Sequence, residues 1–564
     1  MKEPAMREHA VREPAVSTPQ SGGRAQGVVR RIIVLVVLYA LVVIAAIGLS
    51  GLVERVLGGP ALIAEGSGTD LARALAFALI AGPLAAALWW WESRRLADPA
   101  DPSERDSVMW GLYLLAMTLT ALITATIALG GAAVAGIDAR WDPAALATGL
   151  VWAVVWVLHL LLRRSTLFAP ARLGAVTAGL SAVWGLAVGA WGAVTALARL
   201  IADALDATGA LLVTSQHSAV PVLQAAVWAV IGAAIWWWHW HREGGARAAG
   251  GFAAVLLVAV ASIAAAAALF ALGTVLHVVL RLVFRAAPTA EVLAPLDTAL
   301  ATALVAGIVW AYHAGLMQQR TAPVRRAARL ALSGIGLIGA ASGFGVVVNA
   351  LLATAAPTLA DSSPLTLLLG GLSALIVGAP VWWLAWRPAH AAVTADTGGE
   401  PGASADDRAR RIYLVVVFGA SAIAAIVALL TIAYRLFEFW IDPAFTQGLL
   451  DYLRAPLGVL VATALVFAYH FAVWLRTRPA AVAAADRLAI GRIVLVAAGD
   501  ADAAARTLRA STGVPVEVWP AADGGAQLAE ADATVLAEAL RGVQAPRVLV
   551  LAEPSGPRIV PIAR

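Results

Sequence analysis

Residues 222–242 read VLQAAVWAVIGAAIWWWHWHR. The first part is an apolar run, and about 20 such residues cross the hydrocarbon layer of a bilayer as one helix. The end is a block of tryptophans with His239 inside it and Arg242 behind it. Tryptophan favours the membrane–water boundary and arginine the aqueous side, so the block marks where a spanning helix leaves the membrane.

Working outward, the same ending recurs six times. The copies are Leu88–Glu92, Val155–His159, Ile235–His239, Val309–His313, Val381–Ala385 and Val466–His470. Their last residues lie 67 to 85 positions apart. An aromatic residue stands three positions before each end: Trp89, Trp156, Trp236, Trp310, Trp382 and Phe467. Basic residues follow, among them Arg94, Arg95, Arg163, Arg164, Arg242, Arg320, Arg387 and Arg478. Each ending closes the second of two apolar stretches. A period that holds two membrane helices and two short loops is a helical hairpin, and recurrence in register is the mark of a repeat architecture. The hairpins are read at 32–91, 108–164, 173–242, 252–320, 330–387 and 412–478.

Composition supports a membrane fold. The 564 residues are 61% hydrophobic and 13% charged, with mean hydropathy +0.82. A soluble domain carries roughly 25% charged residues. The chain has no cysteine, which excludes disulfides, thiolate metal sites and a cysteine nucleophile. Residues 1–31 are polar, rich in Pro, Gly, Arg and Glu, and read as a disordered cytoplasmic tail. The apolar run after them exceeds a signal-peptide core. Beyond Pro479 the composition changes. Strands at Ile493–Val496, Val514–Val518, Arg547–Leu551 and Arg558–Ile562, with helices at 501–511 and 528–543, spell a small cytoplasmic α/β domain over 490–564. Gly499-Asp500 is placed to cap the first of these helices. The expected fold is therefore an all-α polytopic membrane bundle of about twelve transmembrane helices, six hairpins, with a C-terminal α/β domain.

A helix pair that opens on Arg410-Arg411-Ile412-Tyr413 and closes on Trp236-Trp237-Trp238-His239-Trp240 resembles the bacterial membrane repeats catalogued as "domain of unknown function 5671". The resemblance covers about residues 30–478, in about six copies. Glu92 and Ala385 depart from it where histidine is expected, and Phe467 where tryptophan is. It implies architecture and no activity.

Arginine crowds the loops next to the signature, whereas Asp70, Asp138, Asp203 and Asp206 mark the opposite loops. The positive-inside rule puts the signature and both termini on the cytoplasmic side of a bacterial inner membrane.

His159, His239, His313 and His470 are the recurring titratable group and the weak candidates for a cofactor, as haem ligands on paired helices. The alternative reading is an interfacial belt. There, histidine and tryptophan keep a polar edge in water, and the six aromatic residues above anchor each hairpin. That reading expects the histidines round the cytoplasmic rim. Glu92 is expected to pair with Arg94 or Arg95 at the surface. Asn349 and Gln224 are the deeper polar residues and read as interhelical hydrogen-bonding groups. Gly185 with Gly189, and Gly339 with Gly343, read as close-packing faces. Pro83 and Pro380 are candidate helix breaks. No catalytic motif, metal site or mid-helix charge is present, and no cofactor is called for.

The function expected is a non-enzymatic scaffold or sensor. Its partners are the lipid bilayer and a cytoplasmic protein met through the C-terminal domain, with no nucleic acid. A transporter or channel is the first alternative and a haem-binding membrane protein the second.

Overall fold

The computed structural model describes residues 21–65, 68–99, 103–207, 219–355, 364–395, 404–442, 448–477, 490–499, 501–521, 525–543 and 545–562. Residues 1–20 of the expected tail, Arg478 and Asp500 with its expected cap lie outside them. The chain divides into two compact units. The first holds residues 1–392, 398–413 and 419–466; the second holds 393–397, 414–418 and 467–564.

Among the described residues, twelve helices are long and apolar enough to cross a membrane, and they make the chain a multi-pass membrane protein. They are α1 (Gly27–Gly59), α2 (Gly68–Leu96), α3 (Val108–Ile137), α4 (Pro143–Arg164), α5 (Gly174–Asp206), α6 (Ala219–Arg242), α7 (Gly251–Val283), α8 (Thr289–Gln318), α9 (Ala322–Thr354), α10 (Pro364–Pro388), α11 (Ala409–Ile441) and α12 (Leu449–Leu475). Helices run past the apolar stretches that reveal them. Helical backbone already begins at Ser21, ten residues inside the expected tail, and carries Arg30 and Arg31 into contact with Glu104. Ser107 and Asp142 cap the starts of α3 and α4 by accepting from the Trp110 and Ala145 amides, which satisfies donors that a helix start leaves free.

In lipid the hydrophobic effect does not press helices together, so close packing and interhelical hydrogen bonds must. Glycine provides the first. Gly185 and Gly189 of α5 lie on the backbone of α6 at Gly232, and Gly336 and Gly343 of α9 lie on α10 at Gly378 and Gly371. The contacts match residue for residue: Gly185 faces Trp236 as Gly336 faces Trp382, and Gly192 faces Ala229 as Gly343 faces Leu375. Asn349 and Gln224 provide the second. Asn349 accepts from Arg454 at 3.0 Å and Gln224 donates to Asp138 at 2.6 Å.

Of the two expected breaks, one occurs. A π-turn at Phe77–Ala81 precedes Gly82 and Pro83, relieving the carbonyl clash that a proline imposes inside a helix. Pro380 is carried within continuous helix.

The C-terminal domain has the expected order. Strands β1 (Arg492–Ala497), β2 (Val516–Pro520), β3 (Arg547–Glu553) and β4 (Gly556–Ile562) form one sheet in the order β2-β1-β3-β4. β1 is parallel to β2 and β3, and β4 returns antiparallel beside β3. Helices α13 (Asp502–Thr512) and α14 (Glu530–Ala539) cover it. Ile493, Leu495 and Ala497 alternate onto one face and meet Leu508, Leu536 and Val548 in a buried core. Gly513, at φ 68°, ends α13 in the left-handed conformation that glycine adopts without steric penalty.

Candidate site at the hairpin ends

The last residue of every signature is buried: Glu92, His159, His239, His313, Ala385 and His470. The histidines do not hold a polar edge out at a rim. The protein itself meets Nδ1 of His159, His239 and His313, which turn inward. Their aromatic companions lie nearer the surface. Trp89, Trp156, Trp236, Trp382 and Phe467 are half-buried and Trp310 is exposed.

The histidines use two geometries. Nδ1 of His159 lies 2.7 Å from the Val155 carbonyl and that of His313 lies 2.7 Å from the Val309 carbonyl, each one turn back. A protonated Nδ1 donates there, which leaves Nε2 of His159 to accept from the Tyr113 hydroxyl at 3.2 Å. His239 reaches forward instead. A π-turn over Trp238–Arg242 inserts a residue into the helix end and brings Nδ1 within 2.6 Å of a Glu243 carboxylate oxygen.

Glu243 is the centre of a buried clasp. It accepts from Arg163 at 3.4 Å and pairs with Arg164 at 3.7 Å, both from the end of α4. Burial pushes its carboxyl pKa up, but the His239 hydrogen bond and the Arg163 charge outweigh burial and hold it below the usual carboxylate value. The connector that follows is held from the other side. Arg320, at the end of α8, donates to the Ala246 and Ala248 carbonyls, both at 2.9 Å. Trp240 donates to the Tyr312 hydroxyl at 2.9 Å.

A second clasp closes on Glu104, buried in the turn between α2 and α3. It accepts from Arg30 at 2.6 Å and Arg31 at 2.5 Å, and Arg95 lies 3.7 Å away. Glu92 is buried among the charges of Glu104, Arg95, Arg30 and Arg31. It is therefore not the solvated surface partner expected, because these groups from three segments enclose it. Other signature arginines lie over indoles: Arg94 over Trp90 at 3.8 Å, and Arg164 over Trp238 at 5.1 Å.

Sequence reading found the histidines and arginines and missed Glu104, Glu243 and Tyr113. Glu243, the one acidic residue of the 243–250 connector, offered a signal; Glu104 stands among Asp98, Asp101 and Asp106 and is not singled out from them. Among the described residues no three His, Asp or Glu side chains gather as a metal site. The arrangement ties α1 to the turn between α2 and α3, and the second and fourth hairpins to the connector after the third, through charge-assisted hydrogen bonds.

A family model described as "Domain of unknown function (DUF5671)" matches residues 28–158, 175–312 and 326–469. Each match takes in two hairpins, so the family unit is a four-helix pair of hairpins present three times. No curated protein and no solved structure matches the chain.

Proposed function

The chain belongs to this family of unknown-function membrane domains, and from that premise we propose that it is a non-enzymatic membrane scaffold carrying a sensing or docking domain. One observation carries the reading: the polar groups at these helix ends are taken up inside the protein, His159 and His313 by carbonyls of their own helices and His239 by Glu243, which Arg163 of the preceding hairpin also joins, instead of facing a substrate. The α/β domain supplies the recognition surface. A hollow of about 520 Å³ lies at the carboxyl ends of β1 and β3, beside Val496, Gly525 and Glu553, and open α/β sheets bind ligands outside the carboxyl ends of their strands. The partner is a cytoplasmic protein, and the host is a bacterial inner membrane with both termini inside. Arginine density at the signature ends supports that orientation. A photo-reactive residue placed at Ser555 of the full chain in cells tests the reading. A discrete cross-linked partner, absent when the probe sits at Trp310, is expected; identical products from both positions count against it.

A transporter or channel is the second reading, favoured by a cavity of about 450 Å³ bearing Glu54, Arg55, Asp70 and Arg73 beside the π-turn of α2. Broken helices beside polar cavities are features of transport folds. The natural absence of cysteine makes Thr148→Cys a clean probe. Labelling from both faces of the membrane supports transport, and labelling from one face only argues for a blind cleft.

A further inference from the structure

The three family units meet at two joints of the same construction. At the first, α3 packs against α5 and α6; at the second, α7 packs against α9 and α10. The glycine crossings already matched set α6 and α10 in register, so Trp228 corresponds to Ala374. For α3 and α7 the buried positions set the register: Leu114 with Leu257, Ala121 with Ala264, Ala125 with Ala268 and Ala135 with Val278. Gly130 then corresponds to Gly273.

At the first joint the indole of Trp228 fills the notch left by Gly130, where a Cβ would strike the six-membered ring. Trp191 packs edge-on at 6.1 Å from it. At the second joint Gly273 keeps the notch, and a Cβ there would meet nothing within 4 Å. The aromatic plug is gone: Ala374 stands where Trp228 does, and Ser342 where Trp191 does. A cavity of about 490 Å³ remains, with Gly273 and Ala374 both on its wall.

The wall also says what would enter. It is apolar apart from Thr274 and His277. The Thr274 hydroxyl is committed to the Phe270 carbonyl at 3.1 Å. His277 is the one titratable side chain on the wall; its Nδ1 faces the Leu369 backbone without forming a well-made hydrogen bond there. The wall residues Phe270 and Ile338 are 80% and 70% exposed, so the cavity opens sideways, toward lipid. The notch is shaped for a flat bicyclic ring, the entrance is apolar and one hydrogen-bonding group stands inside. We propose that the second joint binds the head group of a prenylated naphthoquinone, its ring in the place an indole takes at the first joint, a carbonyl at His277 and its tail in the bilayer. Small-molecule sites have this make-up of apolar wall and few convergent polar groups.

The test uses the full chain in lipid nanodiscs with a short-tailed menaquinone as probe. Saturable one-to-one binding is expected. Ala374→Trp rebuilds the first joint's plug against the same glycine and should weaken binding at least tenfold while leaving the melting temperature unchanged or raised. His277→Phe should weaken it several-fold. Gly273→Leu, whose side chain enters open space, serves as the second filling variant if Ala374→Trp does not fold. Binding that is unsaturable, or equal in wild type and the filling variant, overturns the proposal. So does a resident phospholipid that menaquinone does not displace.

Discussion

Nδ1 of His239 lies 2.6 Å from the carboxylate of Glu243, four residues further on, and both side chains are buried. The pair joins a helix end to the connector that follows, and Arg163 from another hairpin completes it. Removing the charge by Glu243→Gln leaves a buried arginine and histidine short of an acceptor. Hydrogen bonds to charged groups contribute about 1.5–3 kcal/mol, so the variant should melt several degrees lower. A double-mutant cycle with Arg163→Gln should give coupling rather than additivity.

The same carboxyl sets a pH dependence. Its folded pKa lies below its unfolded one, because the His239 hydrogen bond and Arg163 outweigh burial. Such a group adds stability in full above the unfolded pKa, and the gain disappears as pH falls through the folded value. Thermal stability should be flat from neutral pH down to about pH 5 and then decline. Glu243→Gln should reduce the acid-dependent part of that decline, and a melting series from pH 7 to pH 3.5 measures it.

Arg320 holds two carbonyls of the connector after α6. Lysine keeps the charge but lacks the planar fork that reaches both acceptors. Arg320→Lys should therefore loosen residues 243–250, seen as faster cleavage there in limited proteolysis at unchanged overall helicity.

Glycine positions separate into two kinds. Gly232 sits against the Gly189 backbone, whereas Gly315 has nothing within 4 Å of an added Cβ. Gly232→Leu should abolish the monodisperse peak in size-exclusion chromatography, because backbone cannot move aside as a side-chain tip can. Gly315→Ala should be neutral or stabilise by about 1 kcal/mol through helix propensity.

Trp228 plugs the first joint. Trp228→Ala should cost about 3 kcal/mol through lost packing. Thermal melting checks this, with Trp237→Ala, an exposed indole, as the control that changes little.

Hairpin number and the β-α-β-α-β-β order were legible because each rests on a local signal: a long apolar run, a turn, an alternation. Burial of His239 was not. A tryptophan-rich helix end has the same periodicity whether it faces lipid headgroups or a neighbouring hairpin, and only the partners decide. The partner of His239, Glu243, stands four residues on and is fixed in turn by Arg163, 80 residues earlier in the chain. Asn349 and Gln224 were legible as hydrogen-bonding groups because an apolar helix leaves a polar side chain few other roles, although their partners Arg454 and Asp138 were not foreseeable. The grouping of hairpins into pairs was hidden as well, since the signature repeats once per hairpin and the joints have none.

The connector after α6 also bears on how the protein is made. Arg163 leaves the ribosome 80 residues before Glu243, and Arg320 more than 70 residues after it. The early arginine can meet the carboxylate as soon as the third hairpin inserts, but the Ala246 and Ala248 carbonyls wait for the end of the fourth. The second family unit thus stays unlatched until its last helix arrives, and a nascent chain halted before Arg320 is the form most exposed to membrane quality-control proteases.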